Sequence, residues 1–435
     1  MRADLRPGAR DPALRRLPTF GLARLLAAIA TSRQALAMRA LLLSIASSFV
    51  ALSTFVWRHG AWPTGGWTTG STDHLSHVGS VILLWHRGLS VWRKPLAELC
   101  PVVAREGVYF AFPWHDVCSL PERAGLAPIV TNWRQFPRPY PPGWALWHAP
   151  GAILHETTSI GLHALARLLV IQDLLAAHVA IALLAVLLFS PIEPLAHDGH
   201  QRARAHDAGT FALRIVVFLL ASGELIRWSM LGYYDGAAIA CALVALLRLR
   251  DARHDSALLW LAGSLFLHYR ALWLAPIFVF VAAEIVRQRR LATPRVAAAS
   301  LLVVLSLGAF ALVWPALRRF PVTNPIAWLH FDRGNAEHWD LVIPLAAAAA
   351  ILVRARALLV LATVGFQLFV LTRTRQVQSW HALSFLPIVG LARIAPGRRG
   401  GAELACATIL VVEYRQVFRD VPLPGDWLAT IFRAH

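Results

Sequence analysis

Residues 164–189 read ALARLLVIQDLLAAHVAIALLAVLLF, a stretch whose ionisable side chains are Arg167, Asp173 and His178. A helix that crosses a bilayer needs roughly 20 mostly apolar residues, so this segment reads as a membrane span. The rest of the 435-residue chain agrees: 57% of it is hydrophobic and only 15% charged, against a usual charged share of about 25%. Such a composition lacks the polar surface to coat a water-soluble globule, and the apolar excess has to face lipid. A soluble enzyme, a disordered regulator and a coiled coil are excluded.

Ten further apolar runs stand at residues 40–57, 211–226, 234–247, 256–267, 271–286, 296–314, 341–353, 357–371, 383–391 and 402–412. The 42 basic residues exceed the 24 acidic ones, giving +18, and Lys94 is the only lysine. Arginines cluster between runs, at Arg202 and Arg204, at Arg248, Arg250 and Arg253, at Arg287, Arg289, Arg290 and Arg295, at Arg354 and Arg356, and at Arg393, Arg398 and Arg399. Alternating spans place all these clusters on one side together with the arginine-rich leader, and positive charge in short loops marks the cytoplasmic face. The pattern argues against nucleic acid and for membrane lipids as partners. The expected fold is an all-α polytopic bundle of about 11 transmembrane helices with the N-terminus inside, in a bacterial inner membrane. Residues 1–39 form a basic cytoplasmic segment, and residues 40–435 one membrane domain.

Residues 58–163 make a large first external loop. Within it, Leu75, Val78, Ile82, Leu83 and Trp85 have helical spacing, which predicts a helix over residues 73–89 lying along the membrane surface. Tyr140-Pro141-Pro142 opens a second juxtamembrane helix. Asp73 heads the first. It reads either as a helix cap in a favourable dipole or as a carboxylate that accepts a proton from a hydroxyl nucleophile. Tyr234 and Asp235, in Leu231-Gly232-Tyr233-Tyr234-Asp235-Gly236, stand at the external start of a span, where tyrosines form aromatic belts and an acid needs a partner or a wet cavity. His268-Tyr269-Arg270 lies in an external turn. Arg270 breaks the inside-positive pattern, and its guanidinium either snorkels to headgroups or clamps a phosphate. Arg373, Arg375, Gln378, Trp380 and His381 form a further external polar cluster. Cys100 and Cys118 share the external loop as either a disulfide or two free thiols, while Cys241 and Cys406 lie in apolar runs.

Taken in order, these elements resemble the GT-C superfamily of polytopic glycosyltransferases, which use lipid-phosphate-linked sugars. The matching segments are Thr72-Asp73-His74 in a long first loop, Tyr140-Pro141-Pro142 before the next span, and Gly232-Tyr233-Tyr234-Asp235-Gly236. Arg270 with the apolar run to Pro276, and Trp380-His381 with the run to Pro387, complete the series. The resemblance covers nearly the whole chain. It departs from the family in a lone Asp73, in Arg270 where Lys is commoner, and in Trp380-His381 where Arg-Tyr is commoner.

The resemblance implies a mannosyltransferase-like enzyme that moves a sugar from a polyprenyl-phosphate donor to a lipid, glycan or protein acceptor at the external face, with inversion. Asp73 would be the catalytic base, and Arg270, Tyr269 and His381 would hold the donor phosphate. His74, His77, Tyr140, Tyr234 and Asp235 are the substrate-binding candidates. No metal site is assigned, and a divalent metal stays open, because Asp73 and His77 share a helix face but two ligands do not make a site. Two rivals stand beside this reading. Asp173, His178 and Glu224 inside apolar runs suit a secondary transporter, although no inverted repeat accompanies them. A non-catalytic envelope-assembly protein is the third.

Overall fold

A computed structural model describes residues 33–59, 73–89, 94, 140–190, 208–230, 234–317, 359, 363 and 387. The apolar runs after residue 317, Cys100, Cys118, His381 and the leader before residue 33 lie outside the described residues or have at most isolated positions within them. So do the side chains of Asp73 and His74. The described residues are helical, with no strand among them. In order they form α1 (Arg33–His59), α2 (Asp73–Arg87), α3 (Pro142–Thr157), α4 (Leu162–Phe189), α5 (Ala208–Met230), α6 (Asp235–Arg250) and α7 (His254–Leu267). A 3-10 helix (Tyr269–Leu274) leads into α8 (Ala275–Arg287), and α9 (Pro294–Leu317) follows.

Among the described residues, three segments are long and apolar enough to cross a membrane: Ala164–Phe189, Tyr269–Arg287 and Pro294–Leu312. The first is mostly enclosed by other helices, whereas α9 turns most of its surface outward through Leu301, Val304, Leu305 and Leu307. Leu42, Leu43, Phe49 and Val50 do the same on α1. Exposed apolar faces of this kind suit lipid tails, not water.

The core is centred on α4, which packs against α1, α5 and α6, while α7 packs against α6 and α9. Leu184, Leu243, Leu261, Trp228 and Ile277 are buried there. Close backbone approach and polar contacts accompany this apolar packing. The sequence supplies small residues for this purpose. Gly236 on α6 lies so near α4 that a Cβ there would come within 3.0 Å of the Ala177 backbone nitrogen. The Ser264 hydroxyl on α7 donates to the Ala238 carbonyl at 2.8 Å.

These contacts set the register. Gly236 meets Ala177 at one end of α6, and Arg250 donates to the Ser190 hydroxyl at 2.6 Å at the other. Thus α6 runs parallel to the second half of α4, and α7 returns antiparallel. Arg248, Arg250 and Arg253 lie at the turn between them. Arg295, which donates to Asp255 at 3.0 Å, joins them at that end, along with Arg287 paired to Glu284. Burial raises the Asp255 carboxyl, but the hydrogen bonds from Arg295 and the Ser256 backbone and the charges of Arg295 and Arg290 outweigh it and hold its pKa below the ordinary value.

The first half of α4 extends beyond the α6–α7 hairpin and is covered by α2 and α3. Pro141 is extended and Pro142 occupies the first turn of α3, where a missing N–H goes unmissed. Gly88, at φ +64°, ends α2 with its N–H on the Leu84 carbonyl at 2.8 Å. The sequence predicted that α2 lies along a surface with one apolar face. Instead residues 77–83 are buried all round, because α3 and α4 enclose the helix. Gly143 of α3 faces α7 so closely that a Cβ would lie 2.4 Å from the Phe266 carbonyl oxygen.

That approach generates a prediction. Gly143→Ala must push α3 away from α7 and should destabilise the protein by about 1–3 kcal/mol. Gly223→Ala, whose Cβ meets nothing within 4 Å inside α5, should hold or raise the melting temperature through helix propensity. Thermal unfolding of the purified protein checks both, and equal melting temperatures for the two variants would refute the close-approach argument.

Candidate functional site

The site forms where α6 begins and α7 ends. Asp235 is the first residue of α6, a position favoured for an acid by the helix dipole. After Leu267 the chain turns extended at His268, with φ −150° and ψ 129°, and then enters the 3-10 helix. His268 caps that helix, its Nδ1 accepting the Arg270 backbone N–H at 3.1 Å. This turn brings the Arg270 side chain back over Asp235, and Nη1 donates to Oδ1 at 2.9 Å. His268 Nε2 lies 3.5 Å from the same oxygen.

The tautomer follows. Nδ1 accepts a hydrogen bond, so in the neutral ring the proton sits on Nε2, facing the carboxylate. Burial pushes the His268 pKa down to about 4, with the Asp235 charge opposing and the Arg270 charge adding. The ring is therefore neutral at physiological pH. Asp235 and Arg270 are then opposite charges in a buried pair, and Asp235 offers the guanidinium orientation while cancelling much of its charge.

Beside this pair stands a cluster of rings drawn from four segments. His77 comes from α2, Tyr140 precedes α3, Trp144 and His148 are one turn apart on α3, and Tyr234 precedes α6. The Tyr140 and Trp144 rings are stacked at 4.9 Å and 14°. His77 lies 5.0 Å from Tyr140 and 4.7 Å from His148, and Tyr234 lies 5.2 Å from His148 and 5.3 Å from His268. The Trp144 indole donates to His77 Nδ1 at 3.0 Å. His148 Nδ1 faces the Trp144 carbonyl oxygen at 3.0 Å. A carbonyl only accepts, so that nitrogen carries the proton and Nε2 is the acceptor of the neutral ring. The Tyr234 hydroxyl is buried and finds no hydrogen-bond partner among the described residues.

On the neighbouring face of α4, Trp147 donates from its indole to Asp173 Oδ1 at 2.8 Å, and the Gln172 amide donates to the Trp147 carbonyl at 2.7 Å. Two further ionisable groups in apolar helices are similarly engaged. His178 pairs with the Ser44 hydroxyl at 2.5 Å, and Glu224 accepts from the Trp228 indole at 2.6 Å.

The structure thus brings together His77, Tyr140, Tyr234, Asp235 and Arg270. Asp73 opens α2 one turn before His77, so its backbone is near the ring cluster. The Tyr269 hydroxyl donates to the Ser306 carbonyl at 2.9 Å and its ring packs against Phe310, so it ties the 3-10 helix to α9. A 3-10 helix brings side chains three apart onto one face, so adjacent residues such as Tyr269 and Arg270 diverge. Sequence reasoning missed Trp144, Trp147, His148 and the capping role of His268. The signal was present in Trp144-x-x-Trp147-His148, whose polar ring atoms within an apolar helix all needed partners. Among the described residues no three His, Cys, Asp or Glu side chains are grouped to hold a metal ion. Comparison with protein-family models, with curated proteins and with solved structures yields no match to this chain.

Two predictions follow from the geometry. The folded His268 ring binds a proton near pH 4 and the unfolded ring near 6.5. Its contribution to stability is therefore whole above pH 6.5 and declines as the pH falls from 6.5 towards 4. Melting temperatures over that range should fall less steeply in His268→Asn, and an unchanged slope would refute the assignment. For the ion pair, Arg270→Gln alone strands a buried carboxylate and should cost on the order of 3 kcal/mol. The double variant Asp235→Asn with Arg270→Gln should cost less than half of that. Chemical or thermal unfolding of the set decides, and additive costs would show that the two charges are not coupled.

Proposed function

We propose that the chain is a membrane glycosyltransferase that transfers a hexose from a lipid-phosphate-linked donor to an acceptor hydroxyl, with inversion, at the external face of a bacterial inner membrane. In this reading about eleven spans hold the protein, with the N-terminus cytoplasmic and residues 58–163 forming the external loop. The observation that carries it is the placement of Arg270. A guanidinium oriented by Asp235 stands beside a ring-lined cluster, at the end of the α6–α7 hairpin opposite Arg248, Arg250 and Arg253. Arginine-rich ends face the cytoplasm, so the cluster faces the other way, as a site for an externally displayed lipid donor requires.

The chemistry assigns one role to each group. Asp73 takes the proton from the acceptor hydroxyl as its oxygen attacks the anomeric carbon. The bond from that carbon to the donor's phosphate oxygen breaks, and the phosphate leaves with the electron pair. Arg270 stabilises the charge that develops on it. His77, Tyr140 and Tyr234 line the sugar's surroundings, and His74 and His381 remain candidates for the substrate and the phosphate. The rival transport reading rests on Asp173, His178 and Glu224, each of which also has a hydrogen-bonding neighbour.

The test is transfer of labelled hexose from polyprenyl-phosphate donors by purified protein in lipid. Asn caps a helix about as well as Asp, so Asp73→Asn should fold normally and lose about 10²-fold or more in rate. If the variant melts like wild type and keeps more than about a tenth of the activity, Asp73 is not the base. Absence of transfer by the wild type with glucosyl, galactosyl and mannosyl donors alike would remove the reading itself.

A further inference from the structure

Two helices at the arginine-rich end of the bundle stop in the same way. At the end of α6 the Arg253 N–H donates to the Arg248 carbonyl at 2.8 Å, and the Ala252 N–H donates to the Leu249 carbonyl at 3.1 Å. At the end of α8 the Arg290 N–H donates to the Ile285 carbonyl and the Arg289 N–H to the Val286 carbonyl, both at 3.0 Å. Such a double closure turns the chain through one left-handed residue, which is usually glycine. Here the left-handed residues are Ala252, at φ 55°, and Arg289, at φ 54°. A side chain in that conformation lowers stability relative to glycine. At Arg289 the strained backbone carries an exposed guanidinium, and strain of this kind often marks a place where a side chain serves something other than the fold.

The two stops are pinned side by side. The Gln288 side-chain amide lies 2.9 Å from His254 Nδ1, which joins the C-terminal cap of α8 to the first residue of α7. Arg295 reaches Asp255 at 3.0 Å, and the Arg290 charge acts on the same carboxylate. Arg287 is taken by Glu284. Three exposed arginines remain, Arg253, Arg289 and Arg290, and among the described residues none of them forms an ion pair. Beside them Val286 and Leu291 are 56% and 59% exposed.

That combination selects a ligand. A guanidinium holds a phosphate through two hydrogen bonds. A soluble phosphate would leave Val286 and Leu291 in water, whereas a phospholipid covers them with its chains while its phosphate meets the arginines. Uncompensated positive charge repels the ammonium of a zwitterionic headgroup, so an anionic lipid is favoured.

We infer that the paired ends of α6 and α8 form a docking site for an anionic phospholipid, with Arg253, Arg289 and Arg290 on its phosphate and Val286 and Leu291 against its chains. The site lies at the opposite end of the α6–α7 hairpin from Asp235 and Arg270, and it does not depend on sugar transfer.

Arg289→Gly separates the charge from the fold. The full chain in neutral detergent micelles is titrated with phosphatidylglycerol and with phosphatidylcholine, and the dissociation constants are read by calorimetry. Thermal unfolding is followed in the same micelles without added lipid. Wild type should bind phosphatidylglycerol more tightly, by a margin that shrinks as salt is added. Arg289→Gly should melt at or above the wild-type temperature, because glycine suits the left-handed position, yet bind phosphatidylglycerol about fivefold more weakly. Arg290→Gln should lose a similar factor. Arg167, exposed near the start of α4, lies at the end away from Ser190 and Arg250. Arg167→Gln makes the same change in net charge and should leave binding unchanged. The inference is overturned if wild type does not distinguish the two lipids, if Arg289→Gly or Arg290→Gln binds like wild type, or if Arg167→Gln weakens binding as much. A melting temperature of Arg289→Gly below wild type would also overturn it, by giving the side chain a role in the fold. So would loss of the lipid preference in inorganic phosphate but not in chloride of equal ionic strength, since the occupant would then be a free anion.

Discussion

A charge inside an apolar helical bundle has to be matched, and the pairing of Asp235 with Arg270 is the match around which the described helices are arranged. The carboxylate starts α6 and the guanidinium sits in the 3-10 helix that follows α7, so the 2.9 Å contact closes the open end of the hairpin. Bringing the arginine there requires the break in α7 at His268. The break in turn requires an acceptor for the Arg270 N–H, which the His268 ring provides. A protonated His268 could not accept that bond and would add a second positive charge beside Arg270. Burial and the cap therefore work in the same direction, towards a neutral ring.

Around this closure the packing depends on small residues more than on large ones. Gly236 lets α6 touch the α4 backbone, and Gly143 lets α3 touch the α7 backbone at Phe266. Gly151 packs against side chains instead, where a Cβ would come within 2.9 Å of Leu169 and 3.0 Å of Val78. Glycines thus stand at three interfaces, and the rings of Tyr140, Trp144, His148 and Tyr234 are carried on the segments those interfaces position. In lipid, where apolar contact between helices brings no gain over contact with tails, such close approaches hold a site in place.

Much of the helix pattern was legible in the sequence, because apolar runs between arginines have a physical cause that needs no tertiary context. The runs at residues 164–189, 211–226 and 296–314 fall on α4, α5 and α9. The gathering of Arg248, Arg250, Arg253 and Arg295 at one end was legible for the same reason. Asp235, Arg270, Tyr234 and Tyr140 were nominated because charged and aromatic residues at span ends demand an explanation. Their pairing was not legible. Asp235 and Arg270 are 35 residues apart, and only the return of α7 along α6 makes them neighbours. The contact of Tyr269 with α9 was not legible either, because adjacency in sequence to Arg270 implies nothing about adjacency of side chains in a 3-10 helix. His148 was passed over because a histidine in an apolar helix shows its tautomer only once its hydrogen-bond partner is known.

The lengths of the helices decide where the site lies along α4. At 1.5 Å per residue, α6 with 16 residues is about 24 Å long and α7 with 14 about 21 Å, whereas α4 with 28 is about 42 Å. The hairpin shares its arginine-rich end with the end of α4 at Ser190, so Asp235 reaches only the middle of α4, at Ala177. The rest of α4 is covered by α2 and α3, packed on its first half. This explains why residues 77–83 are buried all round, and why Trp147 and Gln172 have to satisfy each other and Asp173. On the glycosyltransferase reading, a lipid-borne donor meets Arg270 where that side chain is largely buried beside Asp235, and a single oriented guanidinium there acts more strongly on developing phosphate charge than it would in solvent.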